Sequence, residues 1–193
     1  MEFPTLIDHM RLHISLTDEE AATVLSKTRT RKFLKNQFVV QNGDVCQFES
    51  FVLSGCLKSF YIEDNGQEHV VAFAVENWWT GDLGSFITQS PAELNVQCLE
   101  NCVLAQIHFS ELQELYREVP KLERFFRLII QNAFVAAQKR IIQNFTLPAR
   151  DRYLQFREQY SNIEQRVPQY LVASYLGITK EFLSKIRSEM IMK

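Results

Sequence analysis

Histidine, cysteine and glycine are all scarce in this chain, and each shortage removes a class of function. The 193 residues hold four histidines, His9, His13, His69 and His108. A metal-dependent oxygenase or isomerase needs clustered imidazole and carboxylate ligands. His9 and His13 stand four apart with no third ligand nearby, and only His69 lies in a strand-like run beside an acid. Packing or surface roles suit all four, so no metal site is expected. The four cysteines, Cys46, Cys56, Cys98 and Cys102, match no common zinc or iron–sulfur spacing. Each sits in an apolar or strand-like context, which points to buried free thiols in a reducing, cytoplasmic compartment. The six glycines form no phosphate-cradling loop, and no nucleophile–base signature is present. The chain does not read as an enzyme. No N-terminal run resembles a signal peptide, and no apolar run is long enough to span a bilayer.

A strong charge of one sign is missing too, since the net charge is -2. The distribution is more telling than the total. Residues 146–193 carry eight Lys/Arg and five Asp/Glu, whereas the rest of the chain carries 13 and 18. A mildly basic tail on an acidic body fits a small DNA-binding module attached to something else.

That tail holds the most specific pattern, QYLVASYLGITKEFLSKIRSEMIMK from Gln169 to Lys193. Gly177 stands where a tight turn between two short helices needs a permissive backbone. Small Ala173, four residues earlier, suits a close helix crossing. Val172, Leu176, Ile178, Leu183 and Ile186 fall at core positions. Thr179 can cap the second helix. Lys180, Glu181, Ser184, Lys185 and Ser188 are left outside, giving the polar, basic face of a major-groove reader.

Ahead of it the texture changes twice. The first thirty residues look helical, with a helix start at Thr17 followed by Asp18, Glu19 and Glu20. From about Thr30 to Ile107 come short β-like runs broken by turn signals, among them Asn65-Gly66, a two-residue hairpin signal. Such spacing suggests an antiparallel barrel or sandwich. A short helix is expected over Ser110–Glu118. Pro120 then opens a helical pattern to about Phe145, roughly 39 Å long at 1.5 Å per residue. It bears two apolar stripes, Leu122, Phe126, Ile129, Ala133, Ala136 and Ile130, Phe134, Ala137, Ile141. One stripe suffices for a surface helix. Two suggest one face on the barrel and the other on a second copy of the helix. Pro148 breaks the pattern and starts a further helix, ARDRYLQFREQY.

FVLSGCLKSFYIEDNGQEHVVAF, WWTGDLGSF, LPARDRYLQF and VASYLGITKEFLSKIR, in this order, resemble the CRP/FNR family of bacterial transcription regulators over nearly the whole chain. The resemblance implies an α+β protein. An antiparallel β-roll of the cyclic-nucleotide-binding type, a double-stranded β-helix, would span 1–119 and sense a small effector. A dimerisation helix would span 120–145, and a helix-turn-helix domain 146–193. The implied partners are double-stranded DNA and a second copy, with RNA polymerase a further candidate and no membrane. Lys180, Glu181 and Lys185 match the family's base-reading positions. Ser184 shares their face, and Thr179 and Arg187 would meet phosphate. The expected dimer seam is Leu122, Phe126, Ile129, Ala133 and Ala136, with Arg140 near the exit toward DNA.

The expected effector pocket is Trp78, Gly81, Asp82, Leu83, Gly84 and Ser85, with Asn95 and Gln97 opposite. Cyclic-nucleotide binders of the family carry a Gly-Glu for the ribose and, further on, an Arg for the phosphate. Gly81-Asp82 resembles the first with a shorter acid, and PAELNVQCLE supplies no Arg or Lys. Without its cation the anion loses its charge-assisted bonds. Backbone N–H groups near Gly84 and Ser85 offer only a weak anion site. An uncharged or weakly anionic effector, or a packed empty pocket, is expected in place of cyclic AMP, and no cofactor. The redox-sensing branch's N-terminal cysteine cluster has no counterpart. Family members commonly continue into a β-hairpin wing, whereas this sequence stops at Lys193. That leaves open both a natural end and a truncation, and with them a sensor or dimeric interaction protein that no longer binds DNA specifically.

Overall fold

The computed structural model describes residues 4–160 and 163–191. Helices α1 (Pro4–Arg11) and α2 (Asp18–Ser26) lead into the strands β1 (Thr28–Phe33), β2 (Phe38–Val40), β3 (Phe48–Ser54), β4 (Leu57–Ile62), β5 (Glu68–Ala74) and β6 (Trp79–Thr80). After the short helix α3 (Leu83–Thr88) come β7 (Asn95–Cys98) and β8 (Cys102–His108). Five helices close the chain: α4 (Phe109–Glu118), α5 (Lys121–Thr146), α6 (Ala149–Gln159), α7 (Gln169–Leu176) and α8 (Lys180–Ile191). Among the described residues, no helix is long and apolar enough to cross a membrane.

The start of α2 follows from its sequence. Thr17 and Glu20 form a reciprocal capping box: the Thr17 hydroxyl accepts from Glu20 N–H, and the Glu20 carboxylate accepts from Thr17 N–H. The strands form two antiparallel four-stranded sheets, in the orders β1-β8-β3-β6 and β2-β7-β4-β5. Asn65-Gly66 does sit in the β4–β5 connection, but the ladder ends at Ile62 opposite Glu68, so the loop has five residues rather than two. Glu63 N–H closes it on the Gln67 carbonyl, and the Asn65 side chain accepts from Gln67 N–H. Gly55 turns β3 into β4 at a positive φ of 112°, and a Cβ there would collide with Cys102.

Two apolar cores result. The larger fills the roll and continues under α1, α2, α4 and the start of α5. Here Trp79 packs edge-on against Phe126, and His9 against Phe51. The smaller core joins the outer face of the second sheet, through Phe60, Val70 and Phe73, to Tyr153, Phe156, Leu171 and Val172 of the C-terminal helices. The third sequence segment thus shares its core with the roll, and does not close one of its own. All four cysteines are free and buried.

Candidate nucleic-acid interface and effector pocket

The C-terminal helices pack as a helix-turn-helix for reasons visible residue by residue. Gly177 takes a left-handed conformation, φ 66° and ψ 36°, and its N–H closes the end of α7 on Ala173 and Ser174. Val172, Ala173, Leu176, Leu183 and Ile186 are buried and Ile178 is half-buried, as their spacing requires. Thr179 Oγ1 accepts from Phe182 N–H at 3.2 Å and caps α8. Arg152 of α6 donates to the carbonyl of Leu176 at 3.1 Å, satisfying the end of α7 with a cation. Met192 and Lys193, the last two residues of the terminal pattern, lie outside the described residues.

On the outer face of α8, Lys180, Glu181, Ser184 and Lys185 are all exposed, with Thr179 at its head. They share one side of the helix because their spacing repeats its turn. Arg187 is placed differently from the sequence expectation. It is half-buried and turns toward Glu164, 4.0 Å away, where Arg157 already donates to the same carboxylate at 2.9 Å. The Tyr153 hydroxyl also donates to Glu164, and burial pushes that phenol up to about 12. Arg187 therefore belongs to an internal ion cluster rather than to the outward face.

On the long helix the two apolar stripes differ in burial. Leu122 is fully buried and Phe126 is 7% exposed, both in the roll core, and Ile129 packs partly against it. Their own roll covers Leu122 and Phe126, while Ile129 keeps part of its surface open. Ala133 and Ala136 are exposed, but they flank the outward stripe rather than define it. That stripe is Ile130, Phe134, Ala137, Ile141 and Phe145, with Phe134 62% and Phe145 85% exposed. Arg140 does not point to an exit. Its guanidinium donates to the Val71 carbonyl and lies 4.7 Å from the centre of the Tyr175 ring, tying α5 to β5 and α7.

The expected effector residues are not gathered around one space. Trp78 turns away from the roll and packs on Tyr160. Gln97 donates to the Asn36 carbonyl, and the buried Asn95 side chain accepts from Asn42 N–H. Leu83 is exposed and Gly84 bounds only the Asp82 carboxylate. Gly81 lies against Cys46, whose N–H donates to Ser85 Oγ at 2.9 Å. Asp82 is the decisive residue. One of its oxygens accepts from Ser85 N–H and the other from Glu93 and Leu94 N–H, each at 3.0 Å. Of the backbone donors that could meet an anion, the Ser85 N–H is already held by the chain's own Asp82 carboxyl group.

One feature carried no sequence signal. Arg166 forms a fork with Glu76, at 2.8 and 2.9 Å, and also pairs with Glu100. The guanidinium holds the Glu76 carboxyl down at about 2, and Gly55 N–H donates to it as well. Nearby, Ser174 of α7 donates to the Glu68 carbonyl and accepts from Val70 N–H, bonding α7 to strand β5. Arg166 lies 90 residues from Glu76 and 66 from Glu100, beyond the reach of any local pattern.

Comparison with known proteins agrees with this architecture. Residues 30–119 match the cyclic nucleotide-binding domain family. The chain is 31% identical over 113 residues to the transcriptional activator protein Anr of Pseudomonas protegens, covering 58% of this chain and 45% of Anr. It is 25% identical over 178 residues to the regulatory protein HlyX of Actinobacillus pleuropneumoniae, covering 82% of this chain and 70% of HlyX. The chain thus spans less than half of Anr's length and somewhat over two thirds of HlyX. The fold is also that of CLP, described as a c-di-GMP responsive global regulator of Xanthomonas campestris, with a TM-score of 0.73 at 19% identity over 91% of this chain and 92% of that one. The chain thus carries a cyclic nucleotide-binding domain match, is similar in sequence to bacterial transcription regulators, and shares the fold of CLP.

Proposed function

We propose that this chain is a dimeric transcription regulator that reads a palindromic DNA site with α8. The observation that carries the reading is the capped, exposed α8 face on a closed helix-turn-helix. Lys180 and Lys185 can donate to guanine O6 and N7, and Glu181 can accept from cytosine N4. Ser184 stands between them for base or phosphate, and Thr179 at the helix head for phosphate. The outward stripe of α5 supplies the seam for a second copy, which a two-fold site requires. Contact with RNA polymerase belongs to this reading where the chain activates transcription, and the cytoplasm is where such a reader meets DNA.

The roll in this reading senses a small effector, and cyclic nucleotides are not it, because PAELNVQCLE supplies no Arg or Lys and Asp82 already holds the Ser85 N–H. The test is selection of bound duplexes from a random pool, followed by titration at several salt concentrations. A recurring palindrome and an affinity that falls steeply with salt are expected. The Glu181→Ala change should relax preference at one base pair by about 1–3 kcal/mol. No enrichment of any sequence would favour an interaction protein without specific DNA binding.

A further inference from the structure

A hollow of about 220 Å³ opens in the roll beside Cys46. It opens at the seam between edge strands β1 and β2, where the two sheets separate. Its walls include Arg31, Phe38, Val40, Asp44, Phe48 and Gln106. Pockets for drug-sized ligands run from about 300 Å³ upward. This space is too small for a nucleotide and suits a compact metabolite.

Three observations define what would fit. Gln106 is 1% exposed; its amide nitrogen donates to Ser50 Oγ at 2.8 Å, and its amide oxygen is buried with no partner. Whichever way round the amide is set, one polar end is spent on Ser50 and the other is left over. A buried polar group without a partner is a site's usual mark of a missing ligand or water. Next, Arg31 and Asp44 bring opposite charges to the same hollow, and among the described residues neither joins an ion pair. The Arg31 guanidinium instead lies 5.1 Å from the centre of the Phe33 ring. Finally, Val40, Phe38 and Phe48 supply an apolar side between the charges.

We propose that this hollow binds a small zwitterion of free amino-acid type. Its carboxylate pairs with Arg31, its ammonium group with Asp44 and the Gln106 amide oxygen, and its side chain rests on Phe38 and Phe48. The site has a mechanical route to the rest of the roll. Cys46 lines it, and the Cys46 N–H is bonded to Ser85 of α3 while Gln89 donates to the Cys46 carbonyl. Occupancy would therefore bear on α3, the element that holds Asp82. This inference deepens the sensor reading of the roll, but it is measured without DNA, so its failure leaves the DNA-reading proposal standing.

The experiment is calorimetric titration of the full chain with each of the common L-amino acids at millimolar concentration. At least one should bind, and its amine-only and carboxylate-only analogues should each bind at least tenfold more weakly. The exposed changes Arg31→Ala and Asp44→Asn leave the fold intact and should each cost at least tenfold. Leu12→Ala, an exposed change just past α1, should leave the affinity unchanged. Absence of binding by every amino acid overturns the proposal, as does an analogue with one charge that binds as tightly as the zwitterion.

Discussion

The two halves of α5 are equally apolar and meet opposite fates. In the first, Leu122, Phe125 and Phe126 are buried by the chain's own roll. In the second, Phe134, Val135, Ile141, Ile142 and Phe145 stand in the open. An exposed apolar row of that size is the kind of surface that partners cover. The first half is a fold element and the second is the seam proposed for a second copy, so the same kind of substitution should have different consequences in each.

The largest effect belongs to the covered half. Phe126→Ala removes a ring packed against Trp79, Tyr116 and Phe125. It should cost about 3–5 kcal/mol in denaturant unfolding. Phe134→Ala, on the open half, should change the stability of an isolated protomer by about 0.5 kcal/mol or less. Equal losses at the two positions would break the comparison.

The covered side also buries a carboxyl group. Glu49 is buried on β3, and burial pushes its carboxyl up to about 8. It is neutral in the fold at pH 7, whereas the unfolded chain ionises it near its ordinary value of 4.5. The folded state therefore binds the extra proton. Stability is full below about pH 4.5 and falls as the pH rises toward 8. Glu49→Gln should flatten this decline, a gain on the order of 3 kcal/mol at pH 7. A wild-type stability that rises between pH 5 and 8, with no change in slope in the variant, would contradict it.

A smaller effect separates the two cores. Arg166→Ala leaves Glu76 and Glu100 without their cation and should loosen the C-terminal helices from the roll, seen as faster amide exchange in α7 and β5. In the wild type the same contact should weaken as pH falls from about 4.5 toward 2, because the Glu76 carboxyl is depressed and its contribution is lost on protonation. Unchanged exchange in α7 would show that the shared apolar core suffices. Smaller again is Thr179→Ala, which removes the α8 cap and should cost about 0.5–2 kcal/mol by thermal unfolding.

Local chemistry explains what could be read from the residues. The helix start at Thr17, the presence of a turn at Asn65-Gly66 and the Gly177 turn with its five apolar neighbours are short-range patterns, so they were legible, though the length of the Asn65-Gly66 loop was not. Periodicity revealed both stripes of α5 but not which one its own roll would cover. That choice is made by Trp79 and Phe51, far away in sequence. At the expected effector residues the long-range contacts were likewise hidden from the sequence. Gly81-Asp82 reads as a ligand signature, yet the Asp82 carboxylate spends its bonds on Ser85, Glu93 and Leu94 N–H. The Arg166 cluster and the unpaired Gln106 amide exist only through long-range packing.

The outward stripe of α5 as the surface that a second copy covers is the centre of this account. The most direct test is analytical sedimentation of the wild type beside the double change Phe134→Glu and Ile141→Glu. The wild type should sediment as a dimer at micromolar concentration. The variant should sediment as a folded monomer, because charges buried in that seam would have no partners. A variant that keeps the wild-type dimer mass, or a wild type that is itself a monomer, would contradict the account.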